Sequence, residues 1–218
     1  MPPREVPGPT AAQTLADALR TRILAGEAAP DPPLREEDLA HEHGLSRHTV
    51  RTALATLGAE RSVEVTPYRG ARVAHLDDDG VAALQELRAA LESEAVRILR
   101  MRYGDVWPAD IRAPMDAAVA QLAAAEASGE WLETTRAHAA VHRAIVEAAG
   151  SARITQAHAQ LESEVLLLLT YLRPEYPQGS FAPQHDDYLA QIQTRGAAAV
   201  REHLEHSTAL IRAARHTE

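Results

Sequence analysis

His138 and His142, in the run HAAVHRAIV, stand four residues apart in a stretch of helical periodicity, so their imidazoles share one face about a turn apart. Two such rings can chelate one divalent ion, as other helix-borne i, i+4 sites do. The competing reading is a pair of solvated or core-packed histidines that binds nothing. No Glu follows the first His, so the general base of the HExxH metalloprotease motif is missing. A second group of chemistry-bearing side chains occupies residues 46–51, where Ser46 precedes Arg47, His48, Thr49 and Arg51. On the first turns of a helix, such a set can enter the DNA major groove and reach phosphates and base edges. Its bland counterpart is a solvated helix face.

The elements that must position the second group are legible around it. Leu39 and Ala40 sit on one helix and Gly44 makes the turn. Val50, Leu54 and Leu57 recur at three- to four-residue spacing on the next helix. Ser46 stands where an N-cap belongs, because its hydroxyl can accept from the free N–H groups of the first turn. Residues 62–66 and 71–74 read as short β-branched strands around Pro67-Tyr68-Arg69-Gly70, a hairpin tip with turn chemistry. Upstream, residues 10–25 place Leu15, Leu19, Ile23 and Leu24 on one face of an amphipathic helix ending at Gly26, and a Pro-rich segment follows. Helix, turn, helix and a basic-tipped hairpin make a winged helix-turn-helix.

The His pair falls in a different kind of sequence. After Asp77-Asp78-Asp79, residues 81–103 repeat Leu84, Leu87, Leu91, Ala95, Ile98 and Leu99 at helical spacing, and the three acids favour a helix start. Further helices are expected at 110–128, 131–149, 153–172, 184–194 and 197–215. Nothing in this half alternates with period two, so it reads as an all-α antiparallel bundle of six or seven helices. The expected organisation is an arm at 1–9, a winged helix-turn-helix at 10–75 and a helical domain at 76–218.

Composition narrows the chemistry. The absence of Cys excludes disulfides, thiolate metal sites and Cys nucleophiles. No apolar run reaches membrane-spanning length, and the Pro-rich start MPPREVPGPT lacks the apolar segment of a signal peptide, so a cytoplasmic protein is expected. A net charge of −9 is unusual for a DNA binder until it is divided. Residues 1–75 carry −1 and residues 76–218 carry −8, so the acidic excess lies outside the winged helix.

The runs LREEDLA, GLSRHTVRTAL and PYRGARV together resemble the DNA-binding domain of the GntR family of bacterial transcription regulators, ungapped over roughly forty residues. The resemblance implies DNA contacts from Arg35, Ser46, Arg47, Thr49 and Arg51, with Arg69 and Gly70 on the wing. Arg61-Ser62 replaces the family's usual Gly and apolar residue before the wing. ELRAALESEA, HAAVHRAIVEAAGSARI and QHDDYLAQI resemble the FCD ligand domain of the FadR subfamily.

Many FCD domains hold a metal with one Asp and three His. By that resemblance His142 falls on the first His, His138 on the usual Asp, and His185 on a third ligand, while Ser151 replaces an Asn. His for Asp removes a negative charge and shifts preference toward Zn or Ni. The fourth ligand is His203 or His206. His203 is chosen because it falls on the apolar face three residues after Val200. On one straight helix it would lie about 27 Å from His185, so the chain must turn back at Gly196. Arg88 is the candidate for holding a carboxylate effector, with Arg173 behind it; an i, i+4 ion pair with Glu92 is the structural alternative for Arg88.

The expected function is a homodimeric DNA-binding regulator, not an enzyme. It would act more often as a repressor, on a palindromic operator, with its affinity set by a small organic acid and a divalent metal in the bundle. A regulator whose bundle serves only dimerisation, without metal, is the alternative. A metal-dependent enzyme is remote.

Overall fold

The computed structural model describes residues 8–27, 33–66, 70–170, 172, 177 and 179–215. The expected tip residue Arg69, Arg173 and residues 1–7 of the arm lie outside the described residues. Two compact units follow one another, Met1–His75 and Leu76–Glu218. Among the described residues there are ten helices and one two-stranded sheet.

In the first unit α1 (Ala11–Leu24) starts with a capping box: the Thr10 hydroxyl accepts from the Gln13 N–H, and the Gln13 side chain accepts from the Thr10 N–H at 2.7 Å. Its buried Leu15, Leu19, Ile23 and Leu24 pack against α3 (Arg47–Ala59), which buries Val50, Ala53, Leu54 and Leu57. Between them α2 (Glu36–His43) ends at Gly44, whose φ of 63° is left-handed and is what lets the turn be so short. Ser46 caps α3 as expected, its hydroxyl accepting from the Thr49 N–H at 3.1 Å.

Strands β1 (Val63–Thr66) and β2 (Gly70–Val73) pair antiparallel, with Val63 opposite Val73 and Thr66 opposite Gly70. Leu34 donates to the Ala71 carbonyl at 2.7 Å, tying the chain before α2 to the wing. Arg61 has φ 57°, the sole non-Gly positive φ among the described residues. The turn therefore keeps the left-handed conformation for which glycine is usual, at some strain.

The second unit is an antiparallel bundle of α4 (Asp78–Tyr103), α5 (Ala109–Ser128), α6 (Trp131–Ala148), α7 (Ala152–Ala159), α8 (Glu162–Thr170), α9 (Phe181–Arg195) and α10 (Ala197–Arg215). The single helix expected over 153–172 is two. Leu161 turns inward to join Val81, Leu84, Val165, Leu168 and Ile211 in a small core, which a straight continuation of α7, with no buried residue of its own, does not allow. The larger core joins α4, α5, α6, α9 and α10 through Leu99, Met115, Leu122, Ile145, Leu189, Ile192 and Leu204. Gly196 reverses the chain between α9 and α10 with φ 64°, and a Cβ there would meet Arg100 at 3.1 Å. That reversal returns α10 alongside α9 and α4.

Candidate metal centre and nucleic-acid interface

Helix α6 buries His138 and His142 on its inward face, and α9 brings His185 to them. The ligand atoms of these three imidazoles lie within 4.8 Å of one another. His203 of α10 is not one of that set, yet its ring centre is 5.3 Å from that of His142 and 5.0 Å from that of His185, and it stacks on Tyr188 at 4.1 Å. His206 is exposed, so His203 is the member of that pair whose ring reaches the cluster.

The protonation pattern follows from the neighbours. The His185 Nδ1–H donates to the Phe181 carbonyl at 2.8 Å; a carbonyl only accepts, so the His185 Nε2 carries a lone pair. His142 Nδ1 lies 2.8 Å from Glu92 Oε2. Burial alone would push Glu92 up, but attraction to His142 and to the Arg88 charge, with hydrogen bonds from His142 and His158, holds its carboxyl well below the usual range. An ionised carboxylate also only accepts, so His142 donates from Nδ1 and its Nε2 is bare. The two Nε2 atoms face each other at 3.2 Å.

Two lone pairs opposed at that distance repel unless a cation lies between them, and about 3.3 Å is the donor spacing implied by tetrahedral Zn–N bonds of about 2.0–2.1 Å. His138 Nδ1 is buried with no hydrogen-bond partner among the described residues, a donor left over for the same purpose. Burial holds all four imidazoles neutral: His138 and His203 well below the ordinary value, His142 below it, and His185 lowered to about 3. Neutral imidazole is the form that ligates. The residues present fit a metal.

Around the cluster lies a layer that the sequence did not disclose. Glu92 is fully buried, and its Oε1 accepts from Arg88 Nε and from His158 Nε2, each at 3.2 Å. Arg88, 2% exposed, also donates to Gln85 at 2.8 Å, and Gln85 donates to Ser207. The guanidinium expected to clamp an effector is thus engaged by the i, i+4 ion pair that is its structural alternative. His158 of α7 joins the network as well. Glu126 of α5 accepts from the N–H groups of Phe181 and Ala182, both at 2.9 Å, which anchors the start of the helix that carries His185. His158 and Glu126 lie 66 and 55 residues from their partners, so no local pattern could reveal them. A cavity of about 20 Å³ beside Arg88, His142 and His158 has room for one water.

In the first unit, Arg35, Arg47, Arg51 and Gly70 line one open groove of about 700 Å³ between α2, α3 and the wing. Ser46 and Thr49 do not line it; their hydroxyls are 2.8 Å apart at the start of α3. Three acids share the groove, and two of them hold arginines of α3: Arg47 pairs with Glu37, and Arg51 makes a two-point contact with Glu36 at 3.0 and 2.8 Å. Arg47 and Arg51 keep 63% and 67% of their side-chain surface exposed. Glu36 and Glu37, for which the sequence suggested no role, lie on the helix packed against α3.

The fold and these surfaces define a winged-helix protein of the DNA-binding kind joined to an all-helical domain. Residues 11–73 match the bacterial regulatory proteins of the gntR family, and residues 83–209 match the FCD domain. The chain belongs to the GntR family, in the FadR-like branch whose second domain is FCD. The HTH-type transcriptional repressor GlaR of Escherichia coli (strain K12) is 34% identical over 144 residues, 66% of this chain and 65% of GlaR, so the match spans just under two thirds of that relative. The crystal structure of a GntR transcriptional regulator from Rhodococcus sp. RHA1 superposes with a TM-score of 0.71 at 21% identity, covering 92% of this chain and 96% of that one. E. coli McbR/YncC does so at 0.68 and 18%, covering 94% and 98%. At these identities the two structures share the fold alone.

Proposed function

We propose that this chain is a cytoplasmic transcriptional repressor, not an enzyme, acting as a homodimer on a palindromic operator. A small organic acid reaching a divalent metal in the bundle releases it from DNA. The observation that carries the reading is the convergence of bare, neutral nitrogens from His138, His142 and His185 in the domain that follows a GntR-type head. His138, His142 and His185 hold the ion, with His203 completing the set, and neutral imidazoles favour Zn or Ni over harder ions. The bound metal supplies a Lewis-acidic position for a carboxylate oxygen. Arg88 is the nearest cation for the second oxygen, and the acid has to displace it from Glu92, because a cavity the size of one water admits no organic acid as it stands. That displacement shifts α4 against α6 and is the step that couples the site to operator affinity. On the DNA side Arg35, Ser46, Arg47, Thr49 and Arg51 of the helix-turn-helix, with Arg69 and Gly70 of the wing, contact the duplex. GlaR, with which the chain shares a third of its aligned residues, is named a repressor.

A thermal-shift screen of organic acids against the purified chain, with and without chelator, tests this. A stoichiometric ion that is lost in His142→Ala, and an acid that stabilises only the metal-loaded protein, are the expected results. A metal-free wild type that still selects a symmetric DNA site leaves a regulator whose bundle serves dimerisation alone.

A further inference from the structure

We propose that Glu92 is the positioning residue of the metal centre: its carboxylate dictates which nitrogen of His142 faces the ion and is the anion nearest to an otherwise all-imidazole donor set. The inference rests on the metal reading above and adds to it a residue outside the ligand set. Glu92 has no exposed surface and uses both oxygens, Oε2 on His142 and Oε1 on Arg88 and His158. Those contacts come from α4, α6 and α7, so the carboxylate cannot turn away from His142 without breaking several at once.

The geometry at His142 leaves one solution. With Nδ1 committed as donor to Glu92, the Nε2 lone pair points at the Nε2 of His185, 3.2 Å away. Had Glu92 been apolar, His142 could take the other tautomer, donate from Nε2 to His185 and satisfy that ring with no ion. Glu92 closes that route and keeps the pair of nitrogens bare for a cation. A carboxylate on the far nitrogen also makes an imidazole a stronger donor to its metal. The position where the family resemblance puts an Asp ligand holds His138 here, so the anion removed from the ligand set stands instead behind one of its histidines. Arg88 and His158 steady that anion, which gives both residues a purpose in the free protein.

The test uses the full chain stripped with chelator and titrated with Zn²⁺ by calorimetry. Wild type, Glu92→Gln and His158→Ala are compared, and the helical content and melting of each metal-free form are recorded. Glu92→Gln keeps the size of the side chain and should weaken Zn²⁺ binding about 10- to 100-fold, with His158→Ala losing less, because it only loosens Glu92. A ring-nitrogen NMR spectrum of the zinc-loaded wild type should show His142 bound through Nε2 and protonated on Nδ1. A folded Glu92→Gln protein binding Zn²⁺ within twofold of wild type overturns the inference. So does ligation through His142 Nδ1, which is read on wild type and holds even if the variant does not fold. Wild type that takes up no Zn²⁺ overturns the metal reading and this inference together, whereas equal binding by wild type and variant overturns this inference alone.

Discussion

Arg47 and Arg51 are the side chains on which the DNA reading turns, and each meets a carboxylate before it can meet DNA. These pairs are exposed and screened by solvent, so they contribute little to the stability of the free protein. Arg47→Ala should therefore leave the melting temperature unchanged while weakening specific operator binding by ~1–3 kcal/mol, the worth of a bidentate base contact. An equal loss on every duplex in a binding titration would make Arg47 a phosphate anchor instead. Glu36→Gln tests the neighbouring pair. If Glu36 competes with phosphate for Arg51, the variant should bind nonspecific duplex several-fold more tightly at low salt. Weaker binding would mean that Glu36 aims Arg51 at the groove. Single residues also mark where the sequence is legible. Ser46, Gly44 and the i, i+4 pair His138–His142 announce themselves because their partners lie within four residues. Glu92 does not, since its short contact with His142 spans 50 residues and its only local signal was the ion pair with Arg88.

At the scale of elements, the centre depends on how α9 is held. A local reading finds α9 from its periodicity and its stop at Gly196, but not its anchoring, since Glu126 reaches Phe181 and Ala182 from a different helix. The break between α7 and α8 was equally hidden, because what pulls Leu161 inward is a core built from α4 and α10. The carboxylate of Glu126 satisfies two buried N–H groups at the end of the helix where the macrodipole is positive. Glu126→Ala removes both contacts, and charged hydrogen bonds of this kind are worth about 1.5–3 kcal/mol each. Chemical denaturation of the metal-free protein should show a loss of about 3–6 kcal/mol. Zn²⁺ affinity should fall with it, because His185 takes its orientation from the Phe181 carbonyl in the same turn. A variant as stable as wild type would show that the start of α9 is held by other contacts.

For the molecule as a whole, the buried histidines make stability depend on acid and on metal. In the folded chain burial depresses all four imidazoles, His185 to about 3, while the unfolded chain titrates them near 6.5. Below about pH 6.5 the unfolded state therefore binds more protons, so stability is complete above that pH and is lost as the pH falls from 6.5 toward 3. Each histidine still neutral in the fold costs about 1.4 kcal/mol per pH unit over that window. Between pH 6.5 and about 5 ordinary carboxylates are still ionised in both states, which isolates the histidine contribution. Melting of chelator-treated protein should accordingly fall steadily from pH 7.5 to 5, and a flat profile would mean that the rings are hydrated or charged in the fold. Zn²⁺ at about a hundred times its dissociation constant should add about 2.7 kcal/mol at neutral pH. For a chain of this length that is a rise in Tm of about 5–11 °C. In the fold the ligating nitrogens are already bare over this range, so the acid that destabilises the empty bundle acts through the unfolded chain and leaves the folded site open to the ion. The zinc-dependent increment should therefore stay nearly constant as the pH falls from 7.5 to about 5, and an increment that shrinks over that range would mean that the rings take up protons in the empty fold.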